Sequence, residues 1–205
     1  LYKIMDFIYE VKDALPKEIC DIIIERYKKE SYKEKSRVGK DGVVRENMRK
    51  SLVFPFSRSP KWKDVDNIIC DVIGLGIKKY TEHVKHILTK NGTADNNDIK
   101  KSISMHLEEL TDEGYFVQEY KMGGFYNWHV DSSYKKDNTL RSVSFVLYLN
   151  TLEKNEGGYT EFAFGKSIQP EAGKLLIFPS GWEFVHRSAI VTKPVSKYTI
   201  GTWAV

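Results

Sequence analysis

Cysteine is nearly absent from this 205-residue chain: Cys20 and Cys70 are the only two. Two thiols cannot build the disulfide framework of a small secreted domain, and Cys20 falls in an apolar helical pattern that predicts a small buried thiol. Isolated thiols imply a reducing compartment. No stretch approaches the ~20 apolar residues of a membrane span, and no signal-peptide pattern opens the chain, so a cytoplasmic protein without a membrane partner is expected. Charge of one sign is lacking too. Against 32 basic residues stand 28 acidic ones, a formal net charge of +4, far from the one-sided balance of a dedicated nucleic-acid binder. Internal repeats and low-complexity tracts are also missing. What is present, 41% hydrophobic and 13% aromatic residues, suffices for one sizeable core, and a single domain over 1–205 is expected.

The first half, to about residue 101, reads as helical. In "LPKEICDIIIERYKKE" Pro16 sits where a first helical turn tolerates it, and Ile19, Ile22, Ile23 and Tyr27 recur at helical spacing. After a charged stretch with glycines, "KEKSRVGKDGVVRENMRKS", the segment "SPKWKDVDNIICDVIGLGIKKYTEHVKHIL" resumes the helical period behind Ser59-Pro60, with a break expected near Gly74 and Gly76. "TKNGTADNNDIKK" has the composition of a surface loop. From about residue 102 the period falls to two. In "SVSFVLYLN", Val143, Phe145, Leu147 and Leu149 alternate with Ser142, Ser144, Tyr148 and Asn150, so one face packs and the other lines something polar. Further strands are expected in "YFVQEYK", "YTEFAF", "KLLIFP", "EFVHRSAIV" and "KYTIGTWAV". Helices followed by short, evenly punctuated strands predict an α+β chain with a mainly β core of the jelly-roll type over about 102–205, the N-terminal helices packing on one face.

The stretch "YKMGGFYNWHVD" carries the most chemistry. Residues i and i+2 of a strand share a face, so His129 and Asp131 present an imidazole and a carboxylate to one point. Of the other histidines, only His186 sits in a strand-like segment of the β half; His83 and His86 read as helix-surface residues, and His106 precedes the strands. Two imidazoles and one carboxylate on one side of a metal form the facial triad of non-haem Fe(II) oxygenases, which leaves three coordination positions open. Iron suits this set better than zinc, whose catalytic sites keep one position open. Lys197 follows His186 by eleven positions, across a turn containing Pro194, and alternates with Thr199 on one strand face. A cation there suits the second carboxylate of a bound diacid.

At this point the sequence resembles a known family. "YKMGGFYNWHVD", "RSVSFVLYLNTLEKNEGGYTEF", "GKLLIFPSGWEFVHRS" and "KPVSKYTIGTW", in this order over residues 120 to 203, are similar to the core of the 2-oxoglutarate- and Fe(II)-dependent oxygenases of the prolyl 4-hydroxylase type. The resemblance implies a double-stranded β-helix, with His129, Asp131 and His186 as iron ligands and catalytic centre and Lys197 pairing with the distal carboxylate of 2-oxoglutarate. It further implies that Tyr120 and Tyr148 hydrogen-bond the cosubstrate, that Thr160, Thr199 and Trp203 line its pocket, and that O2 and ascorbate join Fe(II) and 2-oxoglutarate in the chemistry. The implied reaction is oxidative decarboxylation of 2-oxoglutarate to succinate and CO2, coupled to hydroxylation of a substrate C–H bond. "NMRKSLVF" resembles the Arg-x-Ser stretch ahead of the family core, which puts residues 31 to 51 at the mouth. Lysine at 197, in place of the arginine of the oxygen-sensing branch, offers a point charge without a bidentate fork.

The substrate class implied is a prolyl residue in a peptide or protein, held between aromatic walls for which Tyr126, Trp128 and Trp182 are available, with Arg45 and Arg49 near its carbonyls. Two other classes compete: a non-catalytic jelly-roll binding module, and a dioxygenase acting on a small molecule or nucleic acid. The run from Lys33 to Lys50 favours nucleic acid only weakly, because Glu34, Asp41 and Glu46 interrupt it and a solvated lid fits it better.

Overall fold

Alternation of buried and polar-facing residues along the C-terminal strands sets the architecture. The structure, a computed structural model, describes residues 3–39, 42–90, 96–132 and 140–205. Its strands are β1 (Tyr9–Val11), β2 (Glu34–Lys35), β3 (Arg49–Lys50), β4 (Leu52–Phe54), β5 (Phe116–Tyr120), β6 (Phe125–His129), β7 (Val143–Tyr148), β8 (Thr160–Phe162), β9 (Ser167–Ile168), β10 (Leu175–Pro179), β11 (His186–Ser188) and β12 (Lys197–Ala204). A seven-stranded sheet runs β1-β10-β7-β12-β5-β4-β2, a five-stranded one β3-β6-β11-β8-β9, and every paired neighbour is antiparallel. This is the expected α+β chain built on a double-stranded β-helix. Val143, Phe145 and Leu147 of β7, with Leu175 and Ile177 of β10, turn one face of the large sheet toward the helices and join their core. The opposite face carries Leu176, Phe178 and Tyr148, which pack with Phe162 and Phe184 of the small-sheet side. Each fully buried Leu or Phe of this kind contributes about 1.5–3 kcal/mol.

Three helices cover the outer face. In α1 (Lys17–Lys29) the buried stripe is Cys20, Ile23, Ile24 and Tyr27, one residue round from the expected face, and Ile22 is exposed. Cys20 is buried and Cys70 exposed, and both are free thiols.

The long helix α2 (Lys63–Thr89) follows a short turn at Pro60–Trp62 and buries Val65, Ile69, Ile73, Gly76, Tyr80, Val84 and Ile87. It runs through Gly74 and Gly76 without the expected break. Gly76 has a packing role: a Cβ there would lie 2.6 Å from Leu175 Cδ2, so the missing side chain lets α2 approach β10. The segment read as a loop is helical from residue 96, in α3 (Asn96–Leu107), and its positions 91–95 lie outside the described residues. Leu107 is buried and Ile103 packs against the same core, so an i, i+4 pair docks α3 beside α2. The boundary expected near residue 102 therefore falls within a helix, and the first strand of the C-terminal half starts at 116. The N-terminal half is also less separate than expected, because β1, β2 and β4 extend the large sheet and β3 the small one. No helix among the described residues is long and apolar enough to cross a membrane.

Candidate metal and cosubstrate site

Register brings the histidines together. His186, the first residue of β11, is the cross-strand partner of His129, the last of β6, and Asp131 follows two residues beyond β6. His129 Nδ1 bonds the carbonyl of Asn127 at 2.7 Å and His186 Nδ1 that of Phe184 at 3.0 Å. A carbonyl only accepts, so both Nδ1 atoms carry the proton and both Nε2 atoms keep free lone pairs. Those Nε2 atoms lie 3.6 Å from Asp131 Oδ1 and Oδ2 respectively. One ligand atom from each of the three residues lies within 4.8 Å of the others, the sole such cluster among the described residues. His83, His86 and His106 sit on the outer helices, and His83 stacks on Tyr9.

The electrostatics suit a cation. Burial alone would raise the Asp131 carboxyl, but the imidazoles of His186 and His129, with the Ser144 hydroxyl, hold it well below the usual carboxylate range. Burial pushes His186 down to about 4 against the pull of Asp131. The His186 imidazole is thus presented as a neutral donor next to an anion, and with His129 beside it the donor set fits ferrous iron.

The cavity beside this cluster is lined from both sheets, by Tyr120, Thr160, Ser188, Lys197, Thr199 and Trp203 among others. Lys197 is 2% exposed. Its Nζ donates to Ser188 Oγ and to the carbonyl of Gly158 at 2.8 Å, and lies 4.6 Å from the Tyr120 ring centroid. No carboxylate pairs with it among the described residues, and burial pushes it down to about 7. Gly158 has φ +72°, a conformation that favours glycine, and a Cβ there would press on Lys197 Cδ at 3.3 Å. Of the arginines near the cavity, Arg187 is committed to Glu161 at 2.6 Å and Arg141 to both oxygens of Glu113 at 2.8 and 2.9 Å, while Arg49 lines the cavity with its guanidinium over the Tyr126 ring.

The remaining sequence candidates divide. Thr199, cross-strand from Tyr148, and Trp203, beneath Arg141 at 3.5 Å, line the cavity. Tyr148 is fully buried behind the wall and donates to Thr160 Oγ1 at 2.7 Å, so it reaches the cavity through Thr160. Burial raises the phenols of Tyr120 and Tyr126, the latter to about 12. Tyr126 stacks on the His129 ring at 3.5 Å and lies under Arg49 at 4.4 Å.

Sequence reasoning missed Ser188 and Ser144. Ser188 shares the face of His186 by strand alternation, and Ser144 was on the polar face of β7, so both signals were present. The stretch at 31–51 is partly strand, because β2 pairs with β4 and β3 with β6; positions 40 and 41 lie outside the described residues.

A jelly roll with a His-Asp-His cluster beside a cavity that holds a buried lysine presents a donor set suited to non-haem iron. Residues 115–205 match the 2OG-Fe(II) oxygenase superfamily. No curated protein matches the chain. Among solved structures it is similar to a collagen prolyl hydroxylase of Paramecium bursaria Chlorella virus-1 in its 2-oxoglutarate complex (18% identity, 97% of this chain and 94% of that one, TM-score 0.61). It is also similar to a Trichoplax adhaerens prolyl hydroxylase bound to a hypoxia-inducible-factor peptide (16%, 97% and 83%, 0.66) and to a Pseudomonas putida prolyl-4-hydroxylase (21%, 96% and 91%, 0.57). Residues 115–205 thus match the 2OG-Fe(II) oxygenase superfamily, share their fold with these prolyl hydroxylases, and carry a His-Asp-His cluster whose donors suit Fe(II).

Proposed function

We propose that this chain hydroxylates a prolyl residue of a peptide or protein, releasing succinate and CO2. His129, Asp131 and His186 hold the iron, which when bound activates O2 and supplies the oxidative decarboxylation of 2-oxoglutarate. The chain's own residues do the rest. Asp131 brings the negative charge that offsets the cation, and the carbonyls of Asn127 and Phe184 keep each imidazole turned with Nε2 inward. Lys197 takes the distal carboxylate of the cosubstrate. Its two present acceptors are neutral, and an ammonium buried without an anion is costly until one arrives. Thr160, oriented by Tyr148, and Thr199 and Tyr120 fix the carboxylate's plane, which a point charge leaves free. Trp203 closes the wall.

The single observation that carries the reading is Lys197, a buried cation without an acid partner, in the same cavity as the His-Asp-His cluster. The prolyl assignment rests on the mouth. Tyr126 and Arg49 line the cavity, and the exposed rings of Trp182 (76%) and Trp128 (39%) are suited to stacking on an extended or polyproline-type strand. Ascorbate is the reductant we expect to sustain turnover. Succinate formation from 2-oxoglutarate and Fe(II), measured with prolyl peptides, free proline and single-stranded oligonucleotides, tests it. Prolyl peptides should stimulate most. Equal stimulation by free amino acids, or stimulation by oligonucleotide alone, would remove the prolyl assignment, and absence of succinate under every condition would favour a binding module.

A further inference from the structure

A second cleft opens beside the metal site, lined by Lys35, Arg49, Lys50, Leu52, Lys121 and Met122 among others. Arg49 lines both the cleft and the metal cavity, so the two adjoin at that side chain. Strand pairing builds the cleft: β3 carries Arg49 and Lys50 opposite Tyr126 and Phe125 of β6, and Lys121 begins the turn between β5 and β6.

The acids along the cleft are already satisfied. Glu46 pairs with Lys35 at 2.5 Å. Glu119 is buried and accepts hydrogen bonds from Tyr27, Ser196 and Tyr198 on the side facing α1. Lys50 and Lys121 are exposed and, among the described residues, neither has a carboxylate at ion-pair distance. Arg49 has none either, and its Nε is buried without a hydrogen-bond partner. Three cations therefore line one groove without a direct ion pair, Glu46 and Glu119 being engaged elsewhere, and a buried donor without an acceptor calls for a ligand oxygen.

We infer that this cleft is a subsite for an acidic side chain of the substrate, an Asp or Glu flanking the hydroxylated proline, with Lys50 and Lys121 as its partners and Arg49 at the junction. The inference rests on the prolyl reading above and specifies the peptide it takes. A carboxylate fits better than a nucleic-acid backbone. The cations are few and lie beside Glu46 and Glu119, where a run of phosphates would meet repulsion, and Met122 and Leu52 offer apolar contact to a peptide's own side chains.

The test uses the full chain with Fe(II), 2-oxoglutarate and prolyl peptides that differ in carrying Glu, Gln or Lys at the positions flanking the proline, read by hydroxyproline formation. The Glu peptides should show an apparent KM about two- to tenfold below the Gln peptides, the range of one or two partly exposed ion pairs. The Lys peptides should be worse than both, and the differences should shrink at high salt. In K50E/K121E the order of Glu and Lys peptides should invert. Equal KM values across the set, or no inversion in the variant, would overturn the subsite while leaving prolyl hydroxylation standing. Hydroxylation of no peptide whatever its flanks would remove both. Inhibition by a single-stranded oligonucleotide at concentrations where Glu peptides neither bind nor react would assign the cleft to nucleic acid and overturn the inference.

Discussion

His129 and His186 are direct cross-strand partners, one closing β6 and the other opening β11. Their rings, with centroids 4.2 Å apart, meet because of sheet register, although 57 positions separate them in the chain. Moving either strand by one residue would turn its histidine to the opposite face, so the site depends on the β6–β11 ladder as much as on ligand identity.

Replacing any one of His129, Asp131 or His186 by alanine should lower Fe(II) affinity by more than about 100-fold, beyond what losing an outer partner costs, and bring succinate formation below detection. The fold should persist, since backbone pairs hold the strands. Iron titration together with a thermal melt checks this, and wild-type iron binding in His186→Ala would remove that residue from the ligand set.

Lys197→Ala should raise the 2-oxoglutarate KM a few hundredfold or more, the ~3–5 kcal/mol lost when one partner of a buried pair is removed. Lys197→Arg should be milder. An unchanged KM in the alanine variant would move the anchor elsewhere, and Arg187 and Arg141, already paired with Glu161 and Glu113, would have to exchange partners.

The same lysine predicts a pH dependence. Burial lowers it from 10.5 to about 7 in the absence of an anion, and only the ammonium pairs with a carboxylate. As pH rises above about 7, 2-oxoglutarate binding should take up a proton and weaken, by up to about tenfold per unit. For folding the sign is opposite. Between about pH 7 and 10.5 the unfolded chain holds a proton here that the folded chain does not, so this group's contribution to stability rises with pH through that window. Comparing melts of wild type and Lys197→Met across the window isolates it, and parallel curves would contradict the depressed value.

Gly74→Ala and Gly76→Ala should move stability in opposite directions. Nothing lies within 4 Å of a Cβ at Gly74, so alanine there should gain about 0.5–1 kcal/mol from helix propensity. At Gly76 the same methyl meets Leu175 Cδ2 at 2.6 Å, and overpacking of about 1–3 kcal/mol should exceed the gain. Chemical denaturation midpoints of the two variants decide it.

Much was readable from local pattern. Alternation of period two marked β7 and β12, because one face of each strand packs under helices and the other turns to polar neighbours or the cavity, whereas β10 showed as a continuous apolar run because both of its faces are buried. His129 and Asp131 were legible as a pair, since two residues of separation on an extended chain suffice to bring two side chains to one point. The helical period likewise located α1 and α2. What sequence left undecided were relations between distant segments. Gly76 read as a helix break because its packing reason, Leu175, lies 99 positions away. The polar composition of 89–101 hid the start of α3, whose apolar contacts lie beyond it at Ile103 and Leu107. Tyr148 matched a cosubstrate tyrosine by position, yet which polar atom meets its hydroxyl depends on β8 delivering Thr160. Lys197 was legible as a cation on one strand face, and became a buried one only when β12 was enclosed between β5 and β7 and the Glu156-Gly157-Gly158 turn presented a carbonyl to it. Periodicity acts through neighbours on one strand or helix, so the sequence by itself determined faces and ligand types. Burial, pairing and charge balance arise between segments far apart in the chain, so only the tertiary structure decided which of those faces meet.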